Sequence, residues 1–249
     1  MTEILLLNGE PLHTVTPELL RATTYATFSS LQVRAGRVDG LDLHFERLDR
    51  SSRELFGRPL DADRIRAVLQ AGLAHTDGNA SFRLTVLDAD LLLRIDPPIA
   101  PSTTPVRLQP VQHQRALPHL KHTGTFDLIY YGRRAREAGY DDAVFHTAAG
   151  EISEASIWNI CFARGSELVF PVAPILNGIR QQVLQRGLPS YQTMPVLLSD
   201  LASYDAAYLT NSIDPALPVA AIGEVTYAPH PGSAETIAAA YASQEAQPI

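Results

Sequence analysis

The stretch Leu120-Lys121-His122-Thr123-Gly124-Thr125-Phe126 divides the chain in two. Before it stand Pro97, Pro98, Pro101, Pro105, Pro110 and Pro118, a spacing that denies residues 97–119 a helix, although Val106 to Val111 can form a strand. After it a helix is expected from about Thr125 to Glu137 or Ala138, ended by Gly139. Lys121 thus sits at the junction of two halves, where ligand pockets preferentially form. It is also the only lysine among twenty basic residues, the other nineteen being arginine. A guanidinium stays protonated at any ordinary pH, so among side chains Lys121 alone can offer an amine that attacks a carbonyl. The competing reading is a surface charge left over by an arginine-rich composition. The surrounding residues decide between the two.

Upstream, Phe28 to Arg34 and Arg37-Val38 read as a hairpin turning at Ala35-Gly36. Leu41, Phe45, Leu48, Leu55 and Phe56 fall at helical spacing through Asp42 to Phe56, and Gly57 is placed to stop that helix. A second helix is expected from Asp61 to His75, followed by strands Ser81 to Asp88 and Leu91 to Ile95 about an Ala89-Asp90 turn. Downstream, strands are expected at Ala143 to His146, Glu151 to Ser153, Ile157 to Ala163 and Glu167 to Phe170. Asn177 is a candidate cap for a helix through Ile179, Val183 and Leu184. Strands at Met194 to Leu198, Ala206 to Thr210 and Leu217 to Ile222 precede an Ala-rich helix from about Ser233. The pattern is α/β of the mixed α+β kind, without the βαβ rhythm or Gly-rich turn of a dinucleotide fold. The expected domains are 1–111 and 121–249, joined by 112–120.

A formal charge of −7 with no basic cluster excludes a general nucleic-acid binder. Ile4-Leu5-Leu6-Leu7, after Met1-Thr2-Glu3, is a first strand and not a signal peptide, because no basic region precedes it and the apolar run is short. No apolar run is long enough to span a bilayer, and the cytoplasm is the expected compartment. Cys161, the single cysteine, allows no internal disulfide and fits a small buried hydrophobe. His119 and His122 flank the lysine but have no third ligand for a metal, and Ser153 and Ser156 lack a Gly-x-Ser-x-Gly elbow.

Four further blocks bear on the lysine. They are His44-Phe45-Glu46-Arg47-Leu48, then Gly150-Glu151-Ile152-Ser153-Glu154-Ala155-Ser156-Ile157-Trp158-Asn159-Ile160, then Leu176-Asn177-Gly178-Ile179-Arg180-Gln181, and Thr210-Asn211-Ser212-Ile213 running on to Pro218-Val219. With the Lys121 segment they resemble, in content and order, the class IV aminotransferase family. The resemblance implies a two-domain fold-type IV enzyme using pyridoxal 5'-phosphate (PLP). It implies that Lys121 carries PLP as a Schiff base and shuttles a proton from the substrate α-carbon, with Glu154 facing the pyridine nitrogen. Arg47, the amides of Ile179 and Arg180 and the hydroxyl of Ser212 would hold the phosphate.

The sequence also departs from the family pattern. Phe126 stands where some members have a tyrosine that supports the ring oxygen, and Tyr130 or Tyr131 is a candidate replacement. Gly178-Ile179-Arg180-Gln181 replaces Gly-Ile-(Thr/Val)-Arg, and Tyr25-Ala26-Thr27 replaces a Gly-Asp-Gly turn. Three activities are expected alternatives. The first is a transaminase acting on amino acids and 2-oxo acids as a homodimer. The second is 4-amino-4-deoxychorismate lyase, which uses the same cofactor to eliminate pyruvate and whose version of the 211–219 loop this one resembles. The third is a non-catalytic metabolite-binding member, against which the joint presence of Lys121, Glu154 and Arg47 argues.

Overall fold

The computed structural model describes residues 3–249. Met1 and Thr2, the start of the segment read as free of basic residues, lie outside the described residues. The chain packs into two compact units. The first holds the chain up to Ala100 together with Leu120–Gly124 and Glu245–Ile249, and the second holds Pro101–His119 and Thr125–Gln244. These units and the expected division at 112–120 are different cuts of the chain: residues 101–111 belong to the later unit, and Lys121 to the earlier one. Among the described residues no helix is long and apolar enough to cross a membrane.

The first unit runs β1 (Ile4–Leu7), β2 (Glu10–Pro11), α1 (Pro17–Ala22), β3 (Thr27–Val33), β4 (Arg37–Val38), α2 (Leu41–Phe56), α3 (Ala62–Leu73), β5 (Ala80–Leu87) and β6 (Asp90–Asp96). Five strands form an antiparallel sheet in the order β2-β1-β6-β5-β3. Alternate residues Leu31 and Val33, Phe82 and Leu84, and Leu93 and Ile95 share one core with Leu41 and Leu48 of α2 and Ile65 and Leu69 of α3. Ala35 and Gly36 both take positive φ, 49° and 70°, as a two-residue hairpin turn requires. The β5–β6 turn falls one residue earlier than expected. Leu87 pairs with Asp90, so the turn residues are Asp88 and Ala89, with Asp88 in the left-handed region at φ 57°.

The second unit contains β7 (Val106–Gln112), α4 (Phe126–Glu137), β8 (Asp142–His146), β9 (Ile152–Ala155), β10 (Asn159–Arg164), β11 (Glu167–Pro171), α5 (Ile179–Gly187), β12 (Gln192–Met194), β13 (Ala206–Thr210), β14 (Leu217–Ile222), β15 (Val225–Thr226) and α6 (Pro231–Ala242). Its strands take the order β12-β11-β10-β13-β14-β7-β8-β9, and β9 pairs back onto β10 through Asn159↔Glu154. The ladder from β10 round to β9 therefore closes into a ring. Ile160, Phe162, Leu209, Leu217, Leu108, Val144 and Ile152 contribute one or two side chains per ring strand to a common core. The alternate residues Cys161, Ala163, Ala206 and Tyr208 face outward and are covered by α5 and α6. Three strands differ from expectation. The strand expected from Ile157 starts at Asn159, Ile157 being exposed; the one expected at Glu151 to Ser153 is Ile152–Ala155; and the one expected at Met194 to Leu198 is Gln192–Met194, with Leu198 opening a 3₁₀ turn through Ser203.

The last residues return to the first unit as β16 (Gln247–Pro248), antiparallel to β4. Gln247 Oε1 accepts from the amide of Asp42, in the first turn of α2. That helix begins after Gly40, which has no capping side chain, so Gln247 supplies from 205 residues away what a serine or aspartate usually supplies locally.

Candidate active site

In the first unit β3 anchors both Lys121 and Arg47. The carbonyl of Lys121 accepts from Phe28 N at 2.9 Å and from Thr27 Oγ1 at 3.0 Å, and Thr123 N donates to Ala26 O at 2.9 Å. Residues 121–123 thus lie along the start of β3 as a short added strand, with Thr27 bridged to His122. The Lys121 Nζ stands 4.9 Å from the centroid of the Phe28 ring, whose face also carries the Arg83 guanidinium, its Cζ 3.6 Å away. Burial pushes the Arg83 pKa down, with Arg94 adding to the effect.

One residue further along β3, Ser29 accepts a hydrogen bond from Arg47 Nη2. Arg47 lies on the face of α2 that also carries His44 and Ser51, and all three are buried with exposures of 3%, 3% and 0%. An amphipathic helix normally buries an apolar stripe; this one buries a polar seam against β3. Desolvation, with help from the like charge of Arg50, pushes the Arg47 pKa down to about 9, so it remains a cation at neutral pH. Among the described residues Arg47 Nε has no hydrogen-bond partner, and the pKa shift has no carboxylate among its causes.

In the second unit Glu154, on β9 where the ring closes, is buried and held on both oxygens. Oε1 pairs with Arg115 Nε at 3.2 Å, and Oε2 accepts from Leu176 N at 3.1 Å. Arg115 is equally buried, and its Nη2 donates to Pro118 O at 2.5 Å. Asn159, the ring-closing partner of Glu154, donates through Nδ2 to Leu176 O at 2.7 Å. Its Oδ1 lies against the Cα of Gly178, so that any Cβ at 178 would collide with it. The start of α5 is therefore seated on Asn159, and Gly178 is its cap residue. The expected capping role of Asn177 does not hold, because the helix begins one residue later and has no side-chain cap bond.

Ser212 sits in a loop organised by Asn211, whose Oδ1 accepts from Ile213 N and Asp214 N, both at 2.8 Å. Asp214 fastens the loop by accepting from Ser102 N at 2.8 Å and Trp158 Nε1 at 3.1 Å. Tyr241 of α6 joins this loop to α5: its hydroxyl is 3.0 Å from Pro215 O and 3.1 Å from Arg180 O. The Arg180 guanidinium lies 5.2 Å from the centroid of the Tyr241 ring. Just after β9, Ser156 Oγ donates to Asp142 Oδ2 at 2.5 Å, while Asp142 Oδ1 is buried without a partner among the described residues, beside the Cα of Gly132. Burial raises the Asp142 pKa above 3.8.

The structure thus brings Lys121 and Arg47 onto neighbouring residues of one strand. In the other unit Leu176, just before α5, is bonded to Glu154 and Asn159, and Tyr241 bonds Arg180 O of α5 and Pro215 O of the loop that holds Ser212. Phe126, in the position where some relatives have a tyrosine, points outward on α4 with 83% exposure, and Tyr130 stacks on it at 6.3 Å. Tyr131 packs between His113 and Phe145. Nothing in the sequence marks Arg115, Ser29 or Tyr241 as site-building residues, and His44 enters only as the head of the block that carries Arg47. Arg115 is an arginine in a proline-rich stretch and looks like a connector charge; its only sequence signal is its place six residues before the lone lysine.

The profile of the amino-transferase class IV family matches residues 26–222. An uncharacterized protein of Haemophilus influenzae is 24% identical over 204 residues, which are 76% of this chain and 98% of that protein. Among solved structures, an aminotransferase from Brucella abortus bound to the cofactor PLP superposes with a TM-score of 0.83 at 17% identity, over 97% of this chain and 98% of that one. A Legionella pneumophila protein provisionally named 4-amino-4-deoxychorismate lyase superposes with a TM-score of 0.79 at 21% identity, over 91% and 93%. At such identities the structures share a fold. The profile match runs from β3, which anchors Lys121 and Arg47, through the ring to the end of β14, and by that match the chain belongs to the class IV aminotransferase family.

Proposed function

We propose that this protein is a PLP-dependent transaminase that moves an amino group between an amino acid and a 2-oxo acid. The observation that carries the reading is Arg47, a guanidinium that is 3% exposed, has no carboxylate partner among the described residues, and sits one strand residue from the anchor of the only lysine. Leaving a charge buried and uncompensated costs about 3–5 kcal/mol. An anion returns that stability, and a phosphate ester suits the guanidinium fork.

The donor set fits PLP group by group. Lys121 supplies the amine for the aldehyde, and its Nζ carries the proton to and from the substrate α-carbon. Arg47 would grip the phosphate, and the amides of Ile179 and Arg180 with the Ser212 hydroxyl are the further donors that would serve it. Glu154 would face the pyridine nitrogen and keep it protonated. The bonds from Arg115 and Leu176 hold its carboxylate in a fixed, buried position. The bound cofactor supplies an electron sink for the carbanion that develops at the substrate α-carbon. The reading carries with it a homodimer acting on small amino and oxo acids.

Borohydride reduction of PLP-loaded protein followed by peptide mass spectrometry tests the assignment, with a phosphopyridoxyl group expected on the peptide holding Lys121. A label on the N-terminal amine alone would sink it. Amino transfer is then read by loss of the cofactor absorbance with a panel of L- and D-amino acids and its recovery with an added 2-oxo acid. The run from Asn211-Ser212-Ile213 to Pro218-Val219 supports a second reading, the lyase. Catalytic release of 4-aminobenzoate from aminodeoxychorismate without an oxo acid would put the lyase first.

A further inference from the structure

Ser29, His44 and Arg47 form a buried polar triad between β3 and α2, with exposures of 0%, 3% and 3%. His44 and Arg47 are three residues apart on one helix face, and Ser29 meets both. Its Oγ accepts from Arg47 Nη2 and lies 2.5 Å from His44 Nδ1. Every polar hydrogen of a guanidinium is a donor, so the serine oxygen must be the acceptor in the first contact. The one hydrogen of the serine hydroxyl is then free to point at Nδ1, which accepts it when His44 is neutral with its proton on Nε2.

We propose that Ser29 and His44 are positioning residues for Arg47, aiming its guanidinium at the phosphate of the cofactor. The inference rests on the PLP reading above. Arg47 is a long side chain with several rotatable bonds, and among the described residues its Nε has no partner. In the absence of the Ser29 hydroxyl the rotamers of the fork would have to be frozen by the phosphate itself. Ser29 provides that order beforehand, and His44 holds the Ser29 hydroxyl hydrogen away from Arg47 so that the lone pairs face the guanidinium. The arrangement also explains why no carboxylate is used: a carboxylate at position 29 would fix Arg47 equally well, but it would neutralise the charge the phosphate needs.

The test is a double-mutant cycle read as PLP affinity by equilibrium titration, with pyridoxal, which lacks the phosphate, titrated in parallel. Ser29→Ala should lower PLP affinity about tenfold, the scale of one hydrogen bond to a charged group, and leave pyridoxal affinity unchanged. In an Arg47→Ala background the same substitution should change PLP affinity by less than about twofold. His44→Leu should reproduce the loss, whereas His44→Asn, whose Oδ1 can take the place of Nδ1 as acceptor, should retain most of the affinity. Equal losses for PLP and pyridoxal, or additive losses in the cycle, would overturn the proposal, since either marks a merely structural role. If Ser29→Ala fails to fold, the His44 pair carries the test. Failure of the unmodified protein to take up PLP at all would instead refute the function proposed above.

Discussion

Glu154 and Arg115 face each other with almost no solvent, and this decides what the simplest mutation at the residue proposed to face the cofactor's ring nitrogen would measure. Glu154→Gln keeps size and reach but removes the charge that holds a pyridine nitrogen protonated. Proton abstraction from the substrate should slow by orders of magnitude on protein that still loads PLP. A stopped-flow half-reaction within about a factor of three of the unmodified rate, a barrier change of only ~0.7 kcal/mol, would remove Glu154 from that role. The same change strands the Arg115 cation, so thermal or urea unfolding should also reveal a loss of about 3–5 kcal/mol. That loss should largely vanish when Arg115→Met is added. Asp142 gives a pH signature of the opposite kind to a surface ion pair. Its folded pKa is raised by burial, so the group favours folding below 3.8 and that contribution is lost as pH rises through the folded value. Relative to Asp142→Asn, the unmodified protein should therefore gain stability as pH is lowered from 7 toward 4, as read by urea unfolding; an unchanged difference would show that the carboxyl is not desolvated. At this scale Lys121 was conspicuous in the sequence because it is unique, and Arg47 and Glu154 because their blocks lie in the family's order; the roles proposed for them rest on the tests above. Arg115 was not conspicuous, since an ion pair between residues 115 and 154 exists only after the strands have met.

Helices and hairpins announced themselves where periodicity and punctuation agreed, as in α2, whose apolar spacing and Gly57 both survive in the structure, with Gly57 at φ 69°. They were misplaced where a tertiary contact chose the boundary. Gly178 and not Asn177 is the cap of α5, with Asn159 Oδ1 in the space a Cβ at 178 would need, a contact that no local propensity encodes. The same lesson applies to the distant residues that brace α2 and α5. Gln247→Ala removes the acceptor at the first turn of α2 and should lower stability by about 1 kcal/mol, the usual value of a lost cap. Because α2 carries His44 and Arg47, PLP affinity should fall with it. Tyr241→Phe keeps the ring under Arg180 but removes the ties to Pro215 O and Arg180 O. A loss of about 0.5–1.5 kcal/mol is expected, together with faster amide exchange in residues 211–215; protection unchanged there would show that the loop stands without the tyrosine.

Over the whole chain, the mixed α/β class was legible from alternating strand and helix patterns, whereas the closure of the second sheet was not. It depends on β14 and β7 pairing in parallel across more than a hundred residues, and on a single pair, Asn159↔Glu154, joining β9 to β10. Nor could composition reveal that Lys121 packs with the earlier unit, because the bonds from Thr27 and Phe28 to its carbonyl are backbone ties that any residue could accept. Those ties, and the return of β16, give the first unit three separate pieces of chain: the first hundred residues, 120–124, and 245–249. A ribosome makes these pieces far apart in time. When the first hundred residues emerge, the start of β3 has no Leu120–Gly124 segment beside it, β4 has no β16, and the amide of Asp42 has no Gln247. The first unit can collapse early around Leu31, Phe82 and Leu93, but it cannot finish until residue 249 has been synthesised. The nascent chain must therefore keep an open strand edge in solution while the whole second unit is translated and folded.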